Sequence, residues 1–171
     1  MTCRGNSAVL SRLIPPAFYP VHRALKAGRH LHYWLKGGRG SGKSSFLSLE
    51  LLLGVMEHPG ANGVVFRKVK NTLRDSVYAQ LIWAARELGV AHLWKCTQEP
   101  MRMTFLPTGQ SILFRGLDKA EKAKSLKAPE GYFGYVWFEE LAEFSGMEDV
   151  RSIKASVLRG ERSARMRSRS E

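Results

Sequence analysis

The octapeptide Gly37-Gly38-Arg39-Gly40-Ser41-Gly42-Lys43-Ser44 constrains this chain more than any other feature. It satisfies G-x-x-x-x-G-K-[ST], a loop whose glycines let successive backbone N–H groups turn inward around a phosphate while the next helix presents its positive end. In such a loop Lys43 reaches the β- and γ-phosphates and the Ser44 hydroxyl coordinates Mg²⁺. With glycine at about 7% of residues, a chance match in a chain this long is roughly a one-in-a-hundred event. The loop joins a strand to a helix, and the flanks agree. Leu31, Tyr33 and Leu35 alternate with His32, Trp34 and Lys36, which predicts a strand ending at the glycines. After Gly42, the residues Phe46, Leu49, Leu53 and Met56 form one helical stripe, closed by His58-Pro59-Gly60.

The same reading extends along the chain. Three prolines in Ile14–Pro20 predict an extended lead-in. Gly63–Arg67 is a short apolar run of the kind found in buried parallel strands. Val77, Leu81, Ala85 and Leu88 make a second helix that Gly89 terminates. Met101, Met103 and Phe105 alternate, Pro107–Gln110 turns, and Ile112 and Phe114 alternate again, which predicts a β-hairpin. Residues 116–131 read as an exposed loop carrying Lys119, Lys122, Lys124 and Lys127, able to meet DNA phosphates or simply to be solvated. Tyr132–Phe138 is another buried-strand candidate, and a helix follows at 147–159. Strands alternating with helices predict an α/β fold of P-loop NTPase type, a mostly parallel sheet with helices on both faces and the hairpin as an addition.

Composition narrows the function. The chain has 171 residues, 27 Lys and Arg against 15 Asp and Glu, and a net charge of +12. That suits one domain with a polyanionic partner or ligand. The charge sits at the ends: residues 1–49 hold eight basic residues and no carboxylate, residues 50–150 are nearly neutral, and residues 151–171 are again basic. Cys3 and Cys96 are too few for a disulfide framework, which suits a reducing compartment, and the scattered histidines carry no metalloprotease pattern. No apolar run approaches the roughly 18 residues of a membrane span, so no membrane role is expected.

The second chemical signal is Tyr135-Val136-Trp137-Phe138-Glu139-Glu140. An apolar strand ending in two acids puts both carboxylates at the carboxyl edge of the sheet, where phosphates bind. Glu139 takes the metal side there and Glu140 the general base that activates water. The adjacent pair favours an ATPase over small-molecule kinases and GTPases.

Leu35–Ser44 resembles the nucleotide loop of phage terminase large subunits, particularly the PBSX-type group. Val65-Phe66-Arg67-Lys68, Asn71–Ser76, Pro107–Gln110 with Phe114–Asp118 and Lys124-Ser125, and Trp137–Phe144 are similar to that family in the same order. The resemblance implies an ATP- and Mg²⁺-dependent motor that packages double-stranded phage DNA, working as a homo-oligomeric ring on the portal with a small terminase subunit. It places the chain in the cytoplasm of a bacterial host, transiently at the procapsid portal. Carried over, Gly37, Gly38, Arg39, Gly40, Ser41, Gly42, Lys43 and Ser44 bind nucleotide, and Glu140 is the catalytic base. Glu139 stands where Asp is usual, so it meets Mg²⁺ through water. Arg39 touches the γ-phosphate, unless a neighbouring subunit supplies that arginine, with Arg159 a weak candidate. Phe18, Tyr19 and Trp34 are the aromatics available to an adenine. The expected organisation is an N-terminal extension over 1–29, a partial ATPase domain over 30–160 and a basic, disordered tail over 161–171. The family's nuclease domain is expected to be absent and the ATPase truncated. The alternative is an inactive prophage remnant that binds nucleotide or DNA without turnover.

Overall fold

The computed structural model of the chain describes residues 6–117, 126–144 and 146–157. Among these residues five strands form one sheet: β1 (Ala61–Arg67), β2 (Trp94–Gln98), β3 (Met101–Phe105), β4 (Ser111–Gly116) and β5 (Tyr132–Phe138). Their order is β2-β3-β4-β1-β5. β1 runs parallel to both β4 and β5, while β3 is antiparallel to β2 and β4. The architecture is therefore the expected α/β sheet with a hairpin addition. β2 extends that hairpin, because Trp94 packs at 5.2 Å on its cross-strand partner Phe105.

Among the described residues five α-helices accompany the sheet: α1 (Asn6–Leu13), α2 (Tyr19–Lys26), α3 (Lys43–Glu57), α4 (Ala79–Glu87) and α5 (Met147–Val157). Alternation along β1 sends Val65 to one face and Val64 and Phe66 to the other. Helices α3 and α4 cover the first face through Phe46, Leu49, Leu52, Leu81 and Ala85. α5 covers the second through Ile153 and Val157, against Leu113 and Phe133. Burial on both faces explains why β1 reads as an unbroken apolar run.

Three expectations need correction. Residues 31–36 form no strand; Leu31 is 81% and Trp34 60% exposed. Alternation makes a strand only where a neighbour receives its ladder hydrogen bonds. Among the described residues β5 pairs with β1 alone, so no such neighbour reaches this segment. His32 Nε2 instead meets Lys154 Nζ of α5. The lead-in is extended only at Pro15 (φ −58°, ψ 141°). A 3-10 turn at Pro16–Phe18 and α2 follow, with Pro20 in the first turn of α2, where a missing N–H costs nothing. In α3 the buried residues include Leu51, Leu52 and Val55, while Leu53 and Met56 are only partly covered. The helix is flanked by the sheet, α2 and α4, so one stripe understates its buried surface. Arg159, Lys119, Lys122, Lys124, Cys3 and the 161–171 tail lie outside the described residues.

Candidate nucleotide site

The phosphate loop closes around its own lysine. Gly40 (φ 75°) and Gly42 (φ 79°) are left-handed, a conformation that glycine adopts without a Cβ clash. Gly42 caps α3, whose first hydrogen bond runs from Phe46 N–H to Gly42 O at 2.9 Å. A Cβ on Gly42 would lie 3.2 Å from Pro15 Cγ, so the lead-in packs directly behind the loop. Lys43 Nζ donates to Gly37 O at 2.7 Å, Gly38 O at 2.8 Å and Ser41 Oγ at 2.8 Å. The ammonium thus sits inside the ring of residues 37–43, at the positive end of α3. Around Gly38 and Gly40 an added Cβ would meet nothing within 4 Å, which leaves the crest open to an approaching group.

β5 delivers the acids to the same edge. Glu139 N–H donates to Phe66 O at 2.9 Å, continuing the sheet ladder past the last strand residue. Ser44 Oγ donates to Glu139 Oε1 at 3.0 Å. Burial pushes the Glu139 carboxyl above the usual carboxylate range; the Ser44 hydrogen bond and the Arg67 cation oppose this, and the Glu140 charge adds to it. Glu140 is exposed and holds φ 51°, ψ 56°, the one non-glycine residue with positive φ among the described residues. A left-handed glutamate is strained by about 1–3 kcal/mol, and such strain clusters at functional sites.

The structure therefore brings Lys43, Ser44 and Glu139 together and places Glu140 one residue beyond. Arg39 is exposed and has no hydrogen-bond or ion-pair partner among the described residues. Phe18 stacks on Phe46 with ring centres 4.7 Å apart, and the Tyr19 hydroxyl donates to Ser11 O at 2.7 Å, so neither is a free adenine platform. Mg²⁺ fits the oxygen donors: it takes one or two carboxylates plus substrate phosphates, and Glu139 supplies a carboxylate with the Ser44 hydroxyl beside it. No group of three His, Cys, Asp or Glu side chains able to hold a metal ion exists among the described residues.

Sequence reasoning gave Arg67 no role. At the end of β1, its Nη1 donates to Ser76 Oγ at 2.7 Å, its Nη2 lies 3.8 Å from Glu143 Oε1, and its buried Nε has no partner. Nearby, Gln80 Nε2 donates to Ser45 Oγ at 3.1 Å, tying α4 to the first turn of α3. The available signal was a charge directly after an apolar strand, the basic counterpart of Phe138-Glu139.

The chain matches the family described as phage terminase large subunit over residues 29–167. It is 46% identical to the large terminase subunit of Bacillus phage SPP1 over 152 residues, covering 89% of this chain and 36% of that protein. It is 30% identical to the PBSX phage terminase large subunit of Bacillus subtilis strain 168 over 121 residues, covering 70% of this chain and 27% of the relative. The chain thus spans about a third of the length of the curated relatives it matches.

Proposed function

We propose, for a chain that belongs to the phage terminase large subunit family, that it carries the ATPase site of a DNA-packaging motor. The observation that supports this best is the direct Ser44–Glu139 hydrogen bond, which sets the phosphate loop and the acid-bearing strand edge against each other. In this reading the loop amides of residues 37–42 and the Lys43 ammonium hold the β- and γ-phosphates of ATP. Ser44 and Glu139 hold Mg²⁺, which neutralises charge developing on the phosphates. Glu140, exposed beside them, orients and deprotonates the attacking water. Arg39, at the open crest, approaches the γ-phosphate. Double-stranded phage DNA, a small terminase subunit, the portal and further copies of the subunit are the partners this activity calls for. No helix among the described residues is long and apolar enough to cross a membrane.

A second reading, nucleotide binding without turnover, rests on residues 31–36, which lie outside the sheet although they lead into the phosphate loop. Titration with Mg-ATP and release of phosphate separate the two. Lys43→Ala is expected to lose ATP affinity by about 10- to 100-fold, the worth of charge-assisted hydrogen bonds. Equal affinity in the variant and the unsubstituted chain would sink the phosphate-loop assignment. Saturable binding with no phosphate released would favour the second reading.

A further inference from the structure

Arg67 stands where three chain segments leave the carboxyl edge of the sheet. Its own carbonyl accepts from Leu117 N–H at 3.0 Å after β4. Its guanidinium reaches Glu143, four residues past Glu139, on the segment that follows β5. On the other side it donates to Ser76, in the π-helical turn Arg74–Tyr78 that opens α4. Ser76 Oγ in turn donates to Thr72 O at 2.5 Å, so the guanidinium grips a turn already closed on itself. π-helical turns are uncommon and frequent at functional sites. α4 is also held to the helix of the phosphate loop through Gln80 and Ser45. Ser44, Ser45, Gln80, Ser76, Arg67, Glu143 and Glu139 therefore form a closed circuit of polar contacts and short chain segments.

A nucleotide bound with its metal ion would act on this circuit at Ser44. The Ser44 hydroxyl that donates to Glu139 is the same oxygen a metal–phosphate group would take. A cation held between Ser44 and Glu139 would pull on the Glu139 carboxylate, and Glu143, which meets Arg67, lies four residues on along the same segment. The buried Nε of Arg67 is a donor with no partner, so a shift of the guanidinium can gain an acceptor there.

We propose that Arg67 is a positioning residue that couples occupation of the nucleotide site to the π-helical turn Arg74–Tyr78 and hence to α4. Arg67 acts through Glu143 and Ser76 and needs no contact with the nucleotide. This rests on the ATP-site reading above, and it adds the element that responds.

The test is amide hydrogen exchange of the full chain over residues 74–87, with and without saturating Mg-ATP, alongside calorimetric titration of the same samples. In the unsubstituted chain Mg-ATP is expected to change exchange across 74–80 by roughly fivefold or more, the lower end of ordinary coupling between sites. Arg67→Gln and Ser76→Ala are each expected to bind Mg-ATP and to lose that response; Arg67→Lys restores a part of it. Ser76→Ala leaves the half-buried Arg67 cation in place, so it carries the test if Arg67→Gln does not fold. A full response in Ser76→Ala, or bound Mg-ATP with no change at 74–80 in the unsubstituted chain, overturns the coupling. Failure of the unsubstituted chain to bind Mg-ATP in the titration overturns the ATP-site reading itself, and this inference falls with it.

Discussion

The Ser44 hydroxyl donates to Glu139 across 3.0 Å and joins the first turn of α3 to the end of β5. Two residues far apart in the chain thus share one hydrogen bond at the point where the helix dipole and the strand edge converge. Ser44→Ala removes a metal-side oxygen but leaves Lys43 and the loop amides. We expect it to weaken ATP binding in the presence of Mg²⁺ and to leave Mg²⁺-free binding nearly unchanged. Titrations with and without the metal check this, and an equal loss in both would contradict the assignment of Ser44.

Glu140, proposed above as the general base, sits on a strained backbone. Glu140→Gln keeps the shape and is expected to retain Mg-ATP binding while turnover falls by about 100- to 10,000-fold, the usual range for a general base. Glu140→Gly also loses the carboxylate but removes the left-handed strain. It should unfold at a higher urea concentration than Glu140→Gln, by about 1 kcal/mol. An unchanged phosphate-release rate in Glu140→Gln would remove it from the mechanism.

Tyr135 predicts a pH dependence. Burial, with smaller contributions from Glu57, Tyr132 and Glu50, pushes its phenol up from 10.0 to about 12. The folded state therefore holds this proton where the unfolded chain has released it, so stability falls as pH rises from 10 to 12. Tyr135→Phe removes the titrating group, and its urea midpoint should fall less steeply over that window. A slope identical to that of the unsubstituted chain would show that Tyr135 does not titrate there.

Gly54 of α3 leaves room for the Tyr135 ring of β5. A Cβ at position 54 would lie 2.5 Å from Tyr135 Cζ, closer than atoms pack. Gly54→Ala normally favours a helix, yet here it should destabilise by about 1–3 kcal/mol through overpacking. Chemical denaturation measures the sign; a more stable variant would mean that the ring moves aside freely.

The parts of the fold legible in the sequence are those whose pattern is local. Tyr132–Phe138 and the Met103/Ile112 hairpin followed from apolar runs and a turn that any neighbour would satisfy. The Leu31–Lys36 alternation misled, because a strand needs a partner and the alternation alone does not say whether one is in reach. α2 was hidden by Pro20, which breaks a helix interior but starts one well. At the site, the meeting of Ser44 with Glu139 was legible because a glycine-rich loop and an acid-ended strand both lead to the carboxyl edge of the sheet. Arg67 was not: a lone arginine after a strand has no distinguishing spacing, and its partners Ser76 and Glu143 meet it only through the sheet edge.

The helix that carries the phosphate loop is braced from behind by residues upstream of the family match, which begins at residue 29. Ile14 is 2% exposed, Phe18 stacks on Phe46, His22 Nδ1 lies 2.5 Å from Glu50 Oε1, and Lys26 pairs with Glu57. Burial raises the Glu50 carboxyl above its usual range, while its contact with His22 opposes the rise. A fragment cut at the edge of the matched region would strip the cover from Phe46 and leave Glu50 without its imidazole. A fragment that keeps this brace intact therefore starts at or before Ile14, ahead of the matched region.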